Sequence, residues 1–257
     1  SSSFFNEVKK ISPLSIFINV SNKKINKSKI YNFRIFQLKK ILNTLEKCSI
    51  KDIIFLGKIN RPNLKDFKND GEIEKYLPFL FKQYTKGDGS LLSGIIKIFT
   101  EIGYNILSPS ILSNKFFFKK IELNSATNNS DKIDIAKSKK ILNDLSKYDN
   151  AQSMVSVNGY IIAIEAAEGT DNLLRRVVSV RKNLDQINHK AGVLTKLPKK
   201  NQSKLVDLPV IGPKTLKLVK MANLNGIAID PNYTLLYKKD EIKNLSRKLD
   251  IKIYSIF

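Results

Sequence analysis

The chain has 257 residues and a mass of 29.2 kDa, which is enough for one large domain or two smaller ones. Hydrophobic residues make up 42% and charged residues 26%, so the composition excludes a collagenous or wholly disordered chain. No apolar run approaches the ~20 residues that span a bilayer, and no signal-peptide pattern is present. These patterns predict a soluble, cytoplasmic protein.

Two residue types are nearly absent, and their scarcity excludes several kinds of catalytic site. Cys48 is the only cysteine and His189 the only histidine, which excludes a disulfide framework and zinc sites built from these residues. A metal used here would be a hard cation held by oxygen ligands, which indicates Mg²⁺ or Mn²⁺. His189 lies in a polar stretch, so we expect a solvated loop residue rather than a member of a catalytic triad.

The net charge of +22 suggests a nucleic-acid partner, because clustered lysine and arginine neutralise phosphates. Only six of the 45 basic residues are arginine, however, and lysine shares adenine- and thymine-rich codons with the abundant asparagine and isoleucine. A base reader favours arginine, whose planar side chain pairs bidentately with guanine. We therefore expect no nucleic-acid partner, with a lysine-rich RNA-binding protein as the alternative. The six arginines are expected to carry more information about function than the lysines.

Strand and helix patterns alternate through the first half of the chain. The predicted elements are a strand at 15–20, a helix at 38–45, a strand at 53–56, a helix at 91–99 and a strand at 104–107. Ser90 is the predicted N-cap of the second helix and Gly103 its C-cap. This alternation predicts a Rossmann-like parallel sheet with helices on both faces.

A polar segment without periodicity, at 124–130, is typical of a linker. We therefore predict an N-terminal domain at 1–124 and a C-terminal domain at 125–257.

The C-terminal domain is predicted to be α/β as well. Ser130 or Asp131 is the expected cap of its first helix, and Asn158-Gly159 is typical of the tight turn of a hairpin. Further predicted elements are strands at 154–157, 160–166, 192–197, 226–229, 234–237 and 251–256, and helices at 171–181, 213–222 and 240–249. The sequence thus predicts two α/β domains joined by a linker, the second with a mixed sheet.

The segment EAAEGTDNLLRR, at 165–176, is the first candidate site. A predicted strand delivers two carboxylates, Gly169 permits a tight turn, and Thr170 is the expected cap of a helix whose free N–H groups favour an anion. Asp171, Arg175 and Arg176 lie at i, i+4 and i+5, so one arginine is expected to fold back to the carboxylate. The pattern predicts a phosphate pocket, with an ordinary capped surface helix as the alternative.

The segment 196–215 is the second candidate, because lysines and a glutamine precede an isolated aspartate. Asp207 is positioned to orient a metal or water, and Lys199, Gln202 and Lys204 to neutralise a diphosphate. Pro213 is predicted to open a helix. A lysine-rich solvated loop is the alternative.

Three weaker signals lie in the first half of the chain. The glycines of Gly87-Asp88-Gly89-Ser90 bring backbone donors close to a phosphate, and Asp88 is a candidate cation ligand, although this is not a Walker A motif. Arg61 follows a predicted parallel strand, where it either clamps a phosphate or pairs on the surface. The run 116–118 consists of phenylalanine with lysine flanks, and a buried strand is favoured over a membrane-facing patch.

Five blocks together resemble the bacterial UDP-2,3-diacylglucosamine pyrophosphatases of the LpxI type. They are GKINRPNL from Gly57, GDGSLL from Gly87, EAAEGTDNLLRRV from Glu165, GVLTKLPKKNQSKLVDLPVIGPKT from Gly192 and NLNGIAID from Asn223. The resemblance extends from about Phe33 to the C-terminus, and the five blocks occur in the family's order.

The resemblance implies hydrolysis of UDP-2,3-diacylglucosamine to UMP and 2,3-diacylglucosamine 1-phosphate by attack of water on the α-phosphorus. It also implies dependence on a divalent metal, Mg²⁺ or Mn²⁺, and a lipid-holding cleft between the domains. Carried over by motif, the catalytic carboxylates are Asp207, Asp171 and Glu168, and Asp88 and Asp207 are the hypothetical metal ligands. The expected substrate contacts are Arg61, Gly87, Gly89, Ser90, Gly169, Thr170, Arg175, Lys196, Lys199, Gln202, Gly212 and Thr215.

The expected partner is therefore a lipid-linked UDP-sugar, with transient contact with the inner face of the inner membrane. The oligomeric state is open, with a homodimer among the alternatives, and another nucleotide diphosphate-sugar is the alternative substrate. Relatives begin with a strand and a glycine-rich turn, whereas this chain begins Ser1-Ser2-Ser3. We therefore expect an N-terminal fragment that lacks the first strand of its sheet.

Overall fold

The computed structural model describes residues 6, 8–10, 12–20, 24–26, 29–34, 37–56, 71, 74–85, 88–112, 116, 128–148, 150–199 and 208–256. The chain divides into two compact units, Ser1–Leu112 with Ser203–Asp207, and Ser113–Gln202 with Leu208–Phe257. Both units are α/β, as predicted, and the expected linker boundary at 124/125 lies outside the described residues. Among the described residues, no helix is both long and apolar enough to cross a membrane.

Unit 1 contains two pairs of short parallel strands. Strand β1 (Phe17–Asn19) pairs with β2 (Ile30–Asn32), and β3 (Asp52–Ile53) pairs with β4 (Asn105–Ile106). The predicted strands at 15–20, 53–56 and 104–107 are therefore present but shorter than expected. The parallel pairing confirms the predicted class of sheet.

Helices surround the core of unit 1. They are α1 (Leu38–Lys47), α2 (Leu77–Tyr84) and α3 (Asp88–Glu101), with 3₁₀ turns at Glu74–Tyr76 and Pro109–Leu112. The predicted apolar stripe of α1 is confirmed, because Leu38, Ile41, Leu42 and Leu45 are buried against α3 residues such as Leu91 and Ile98.

The two predicted caps of α3 have different outcomes. Ser90 is not the N-cap, because the helix begins two residues earlier, at Asp88, and Ser90 lies in its first turn. Gly103 ends the helix as predicted: its φ is +101°, and the N–H of Tyr104 returns to the carbonyl of Phe99. Phe116 is buried as expected but has 3₁₀ rather than strand backbone, so the predicted strand is wrong at this residue.

Unit 2 is built on a five-stranded mixed sheet in the order β11-β9-β7-β5-β6. The strands are β5 (Ser153–Val157), β6 (Tyr160–Ile164), β7 (Val193–Lys196), β9 (Gly226–Ile229) and β11 (Lys252–Ser255). Strand β5 is antiparallel to both neighbours, whereas β7, β9 and β11 are parallel. A separate parallel pair joins β8 (Val210–Ile211) to β10 (Leu235–Leu236). The predicted mixed sheet is thus confirmed.

Both faces of this sheet are covered, because side chains alternate along each strand. Val193 and Ala228 pack on one face with Leu142 of α4 (Asn129–Leu145). Leu194 and Ile227 pack on the other face, against α5 (Gly169–Asn183), α6 (Pro213–Met221) and α7 (Lys239–Lys248). The three helices therefore cover the face opposite α4.

The hairpin between β5 and β6 turns at Asn158-Gly159, as predicted, with φ of 50° and 81°. The buried Asp134 of α4 stabilises the turn, since its carboxylate accepts the N–H groups of Asn158 at 3.0 Å and Gly159 at 2.7 Å. Its Oδ1 also accepts the hydroxyl of Ser156 at 2.6 Å. A carboxylate on a neighbouring helix therefore supports the turn that the dipeptide favours.

The N-cap of α4 is Asn128, not Ser130 or Asp131 as predicted. The side chain of Asn128 accepts the N–H of Asp131 at 2.6 Å. Asp131 is instead fully buried, where it accepts the hydroxyl of Tyr254 at 2.6 Å and the amide of Asn225 at 2.8 Å. Burial, together with this hydrogen bond, raises the pKa of the Tyr254 phenol.

Candidate functional site

The segment 165–171 and Lys196 lie at one edge of the sheet of unit 2. Glu165 follows the end of β6, and Lys196 is the last residue of β7. Ser153, the first residue of the antiparallel β5, pairs with Lys196 across the ladder. Because β6 and β7 end at this edge, the helix that follows β6 begins there too. The sheet therefore brings 165–171 and Lys196 together, although they are more than twenty residues apart in the sequence.

The hydroxyl of Thr170 is the centre of a polar cluster at this edge. It accepts a hydrogen bond from the ammonium of Lys196 at 2.7 Å. It also lies 3.2 Å from Oε2 of Glu165, to which it donates, and 3.2 Å from the hydroxyl of Ser153. Ser153, Thr170 and Lys196 are all at least nine-tenths buried, so the cluster is shielded from solvent on several sides.

Thr170 is not the N-cap of α5, which corrects the sequence prediction. The helix begins at Gly169, and Glu168 precedes it without a side-chain capping hydrogen bond. Gly169 has φ of +77°, a conformation that glycine adopts without steric cost, so the predicted turn at this residue is confirmed. Thr170 is therefore free to turn its hydroxyl toward β7 instead of toward the helix backbone.

Glu168 is held by Arg176 at the beginning of α5. The guanidinium donates to Oε1 of Glu168 at 2.6 Å and to the carbonyl of Ile164 at 2.8 Å. The N–H of Ala166 donates to the other carboxylate oxygen at 3.0 Å. The hydrogen bond from Arg176 is the main reason that the pKa of Glu168 lies below its ordinary value. This carboxylate is accordingly held in its charged form.

Asp171 pairs with α6 rather than with its own helix. Its Oδ2 lies 2.6 Å from the ammonium of Lys214, whereas Arg175 donates to Asn172 at 2.9 Å and Arg176 to Glu168. The predicted pairing of one arginine with Asp171 is therefore wrong within the described residues. Arg176 instead donates to the end of β6 and to Glu168, and Asp171 forms its salt bridge with Lys214.

The N-terminus of α6 is arranged largely as predicted. Pro213 is the first helical residue, and the hydroxyl of Thr215 accepts the N–H of Gly212 at 3.4 Å. A Cβ on Gly212 would lie 3.3 Å from the ring of Tyr237, so this residue has little room for a side chain. Lys214 lies in this first turn, and its salt bridge with Asp171 joins the first turns of α5 and α6.

Lys199, another predicted substrate contact, is half-buried.

Several residues that the sequence predicts for the site fall outside the part of the chain that the structure describes. Asp207, Arg61, Gly87 and Gln202 lie outside the described residues, and of Asp88 and Gly89 only the helical backbone is described. Their predicted roles stay predictions.

The described carboxylates at the sheet edge do not fit a metal site. No group of three or more histidine, cysteine, aspartate or glutamate side chains converges within the described residues. Glu168 and Asp171 are each bound to a basic side chain. The proposed cation ligands Asp88 and Asp207 remain predictions.

Sequence patterns gave no signal for Ser153 and assigned no individual role to Glu165, although both contact Thr170. Glu165 carried a signal, because it is a carboxylate at the end of a predicted strand. Ser153 carried no such signal in the sequence, because only the antiparallel pairing of β5 with β7 places it beside Lys196.

Arg181 is structural, which corrects the expectation that the arginines mark the functional site. It is fully buried in α5 and donates to five backbone carbonyls, those of Gln186, His189, Ala191, Ala222 and Asn223. Burial lowers the pKa of its guanidinium. His189 itself is an exposed loop residue, as predicted.

Comparison with known proteins matches both units. The model of the LpxI N-terminal domain matches residues 9–116, and that of the LpxI C-terminal domain matches residues 120–254. The UDP-2,3-diacylglucosamine pyrophosphatase LpxI of Caulobacter vibrioides is 29% identical over 199 residues, which cover 77% of this chain and 70% of that protein. The two domain models cover most of the chain in the order expected from the sequence blocks, and the chain therefore belongs to the LpxI family.

Proposed function

We propose that the protein hydrolyses the diphosphate of UDP-2,3-diacylglucosamine in lipid A biosynthesis. Water adds to the α-phosphorus, the bond from that phosphorus to the bridging oxygen breaks, and UMP and 2,3-diacylglucosamine 1-phosphate are released. The family and the name of the Caulobacter relative support this reaction. The observation that carries the proposal is the convergence of Lys196 and Thr170 at the N-terminus of α5, beside the bridge from Asp171 to Lys214.

This arrangement suits a diphosphate for two physical reasons. The first N–H groups of a helix have no intrahelical acceptor, and the helix dipole favours negative charge at that end. The ammonium groups of Lys196 and Lys214 and the exposed guanidinium of Arg175 add positive charge close to the same turn. Basic groups held in place before the reaction stabilise charge that develops on phosphoryl oxygens.

The remaining roles come from the family motif. Asp207 is the proposed carboxylate that orients the attacking water, and Glu168 and Asp171 are further proposed catalytic carboxylates. Mg²⁺ or Mn²⁺, held by Asp88 and Asp207, would neutralise charge on the phosphoryl oxygens. The other expected substrate contacts, including Arg61, Gly87, Gly89, Ser90 and Gln202, belong to the same proposal.

Contact with the inner face of the inner membrane is also part of the proposal. The proposed substrate carries two acyl chains, which favour a lipid phase over water. The exposed charged residues of α6 are all lysines, namely Lys214, Lys217 and Lys220, and lysine is attracted to anionic headgroups. A cytoplasmic location and a homodimer remain predictions.

The test is release of UMP from UDP-2,3-diacylglucosamine by the purified chain, with Mg²⁺ or Mn²⁺ and then with chelator. We expect metal-dependent release that Asp207→Asn abolishes. Asp185→Asn is the matched control, since Asp185 is exposed and follows the opposite end of α5. Unchanged turnover in Asp207→Asn would remove that residue from the mechanism.

Two further measurements separate the alternatives. UDP-N-acetylglucosamine, which has no long acyl chains, should be a poor substrate, and equal turnover of both compounds would indicate a general nucleotide diphosphate-sugar hydrolase. An RNA-binding protein would instead show steeply salt-dependent RNA affinity and no UMP release.

A further inference from the structure

We infer that Glu165 is a positioning residue for the Lys196 ammonium and acts through the hydroxyl of Thr170. The inference rests on the proposed function, in which Lys196 binds the diphosphate. Glu165 has no role among the site residues that the sequence predicts.

The directions of these hydrogen bonds follow from the chemistry of the groups. An ammonium only donates hydrogen bonds, so the hydroxyl oxygen of Thr170 must accept the 2.7 Å bond from Lys196 with one of its two lone pairs. A carboxylate only accepts, so the single hydroxyl proton of Thr170 goes to Oε2 of Glu165, 3.2 Å away. The second lone pair then accepts the Ser153 hydroxyl at 3.2 Å. Each hydrogen-bonding position of the Thr170 hydroxyl is thereby used, in one orientation only.

The surroundings strengthen this chain of hydrogen bonds. Lys196 is 7% and Thr170 9% exposed, so the bond between them lies in a region of low dielectric constant, whereas the carboxylate of Glu165 is half-buried. Hydrogen bonds that involve a charged group are stronger than neutral ones, and here both ends of the chain are charged. The N–H of Glu165 also donates to the carbonyl of Ser153 at 2.9 Å, which fixes the backbone that carries the carboxylate.

With the carboxylate of Glu165 in place, the hydroxyl proton of Thr170 points away from Lys196. An oxygen lone pair of the same hydroxyl then points toward the Lys196 ammonium. Without the carboxylate, the hydroxyl rotates more freely, and the ammonium loses a fixed acceptor at the N-terminus of α5. Because phosphoryl transfer depends on placement of positive charge, a small displacement lowers turnover more than it disturbs folding.

The experiment compares Glu165→Gln, Thr170→Val and Thr170→Ser with Thr195→Val. Thr195 is the matched control, because it is a fully buried threonine next to Lys196 whose hydroxyl has no hydrogen-bond partner within the described residues. We expect Glu165→Gln and Thr170→Val to lower kcat about tenfold, and Thr195→Val to stay within about twofold of the unmodified chain. Thr170→Ser keeps the hydroxyl and should therefore restore most of the activity that Thr170→Val loses.

A double-variant cycle with Lys196→Met isolates the positioning role. If Glu165 acts through Lys196, Glu165→Gln lowers kcat no further once the ammonium is gone. A tenfold loss in both backgrounds would overturn the inference, as would an unchanged kcat in Glu165→Gln.

Calorimetric titration with UMP separates this inference from the proposed function, because it needs no turnover. Weaker UMP binding in Glu165→Gln and Lys196→Met, but not in Thr195→Val, supports the inference even if the unmodified chain releases no UMP. Equal UMP affinity in all of these variants, or no UMP binding by the unmodified chain, would overturn it.

Discussion

The ammonium of Lys214 lies 2.6 Å from the carboxylate of Asp171, so a salt bridge joins the first turns of two helices. The two side chains are 65% and 37% exposed, and exposed pairs of this kind contribute about 0.2–1 kcal/mol to folding. The bridge therefore contributes little to stability, and its main effect is to hold the ammonium of Lys214 beside the first turn of α5.

Replacing Lys214 with methionine should affect binding more than folding. The variant leaves the Asp171 carboxylate without its partner, beside the proposed diphosphate position, where like charges repel. We expect UMP affinity to fall several-fold, whereas Tm should drop by no more than about 4 °C. Lys217→Met is the control on the same helix, and an equal loss of affinity there would show that only overall charge matters.

The bridge between Glu168 and Arg176 should make stability depend on pH. The pKa of Glu168 is below its ordinary value in the folded chain, so its contribution is fully present above that ordinary value and is lost as pH falls through the folded pKa. We expect Arg176→Met to lower Tm by about 1–3 °C at neutral pH. The difference in Tm from the unmodified chain should shrink as pH falls through the folded pKa of Glu168, and a difference that is independent of pH throughout the acid range would contradict this assignment.

Arg181 should be among the most sensitive residues of unit 2. Its buried guanidinium donates to five backbone carbonyls, and each buried carbonyl that is left unsatisfied costs about 1–3 kcal/mol. We expect Arg181→Lys to lower the free energy of unfolding by at least about 3 kcal/mol, because an ammonium cannot reach all five acceptors. Urea unfolding measures this loss, with Arg247→Lys as an exposed control. A loss below 1 kcal/mol would show that the carbonyls find other donors.

Alanine substitutions at Gly192 and Gly103 distinguish the cost of a steric clash from the cost of backbone strain. Both have positive φ, but a Cβ on Gly192 would lie 2.4 Å from Cγ2 of Val157, whereas one on Gly103 meets nothing within 4 Å. We expect Gly103→Ala to cost about 1–2 kcal/mol and Gly192→Ala clearly more, by urea unfolding. Equal costs would mean that β5 moves aside without penalty.

Local patterns in the sequence predicted most elements of both units. The stripe Leu38, Ile41, Leu42 and Leu45 specifies which face of α1 is buried, because helical periodicity repeats at that spacing. Asn158-Gly159 specifies its turn, because both residues tolerate positive φ. Element ends were predicted less well. Asn128 rather than Ser130 caps α4, since several neighbouring polar residues suit the position and packing selects one of them.

The candidate site was predicted as a set of segments but not as a set of contacts. The EGTD block and Lys196 were recognised, but the partner of Asp171 was predicted wrongly. Side chains on one helix are paired by spacing alone, whereas Lys214 reaches Asp171 only because α6 packs beside α5.

The sequence by itself determined the family, the alternation of strands and helices, and the chemical types available at the site. These follow from residue identity and from periodicities of a few residues. Only the tertiary structure decided that Arg181 is structural and that Ser153, Glu165, Thr170 and Lys196 form one cluster. The physical reason is that hydrogen-bond partners are chosen by distance and burial, which strand order establishes between segments far apart along the chain.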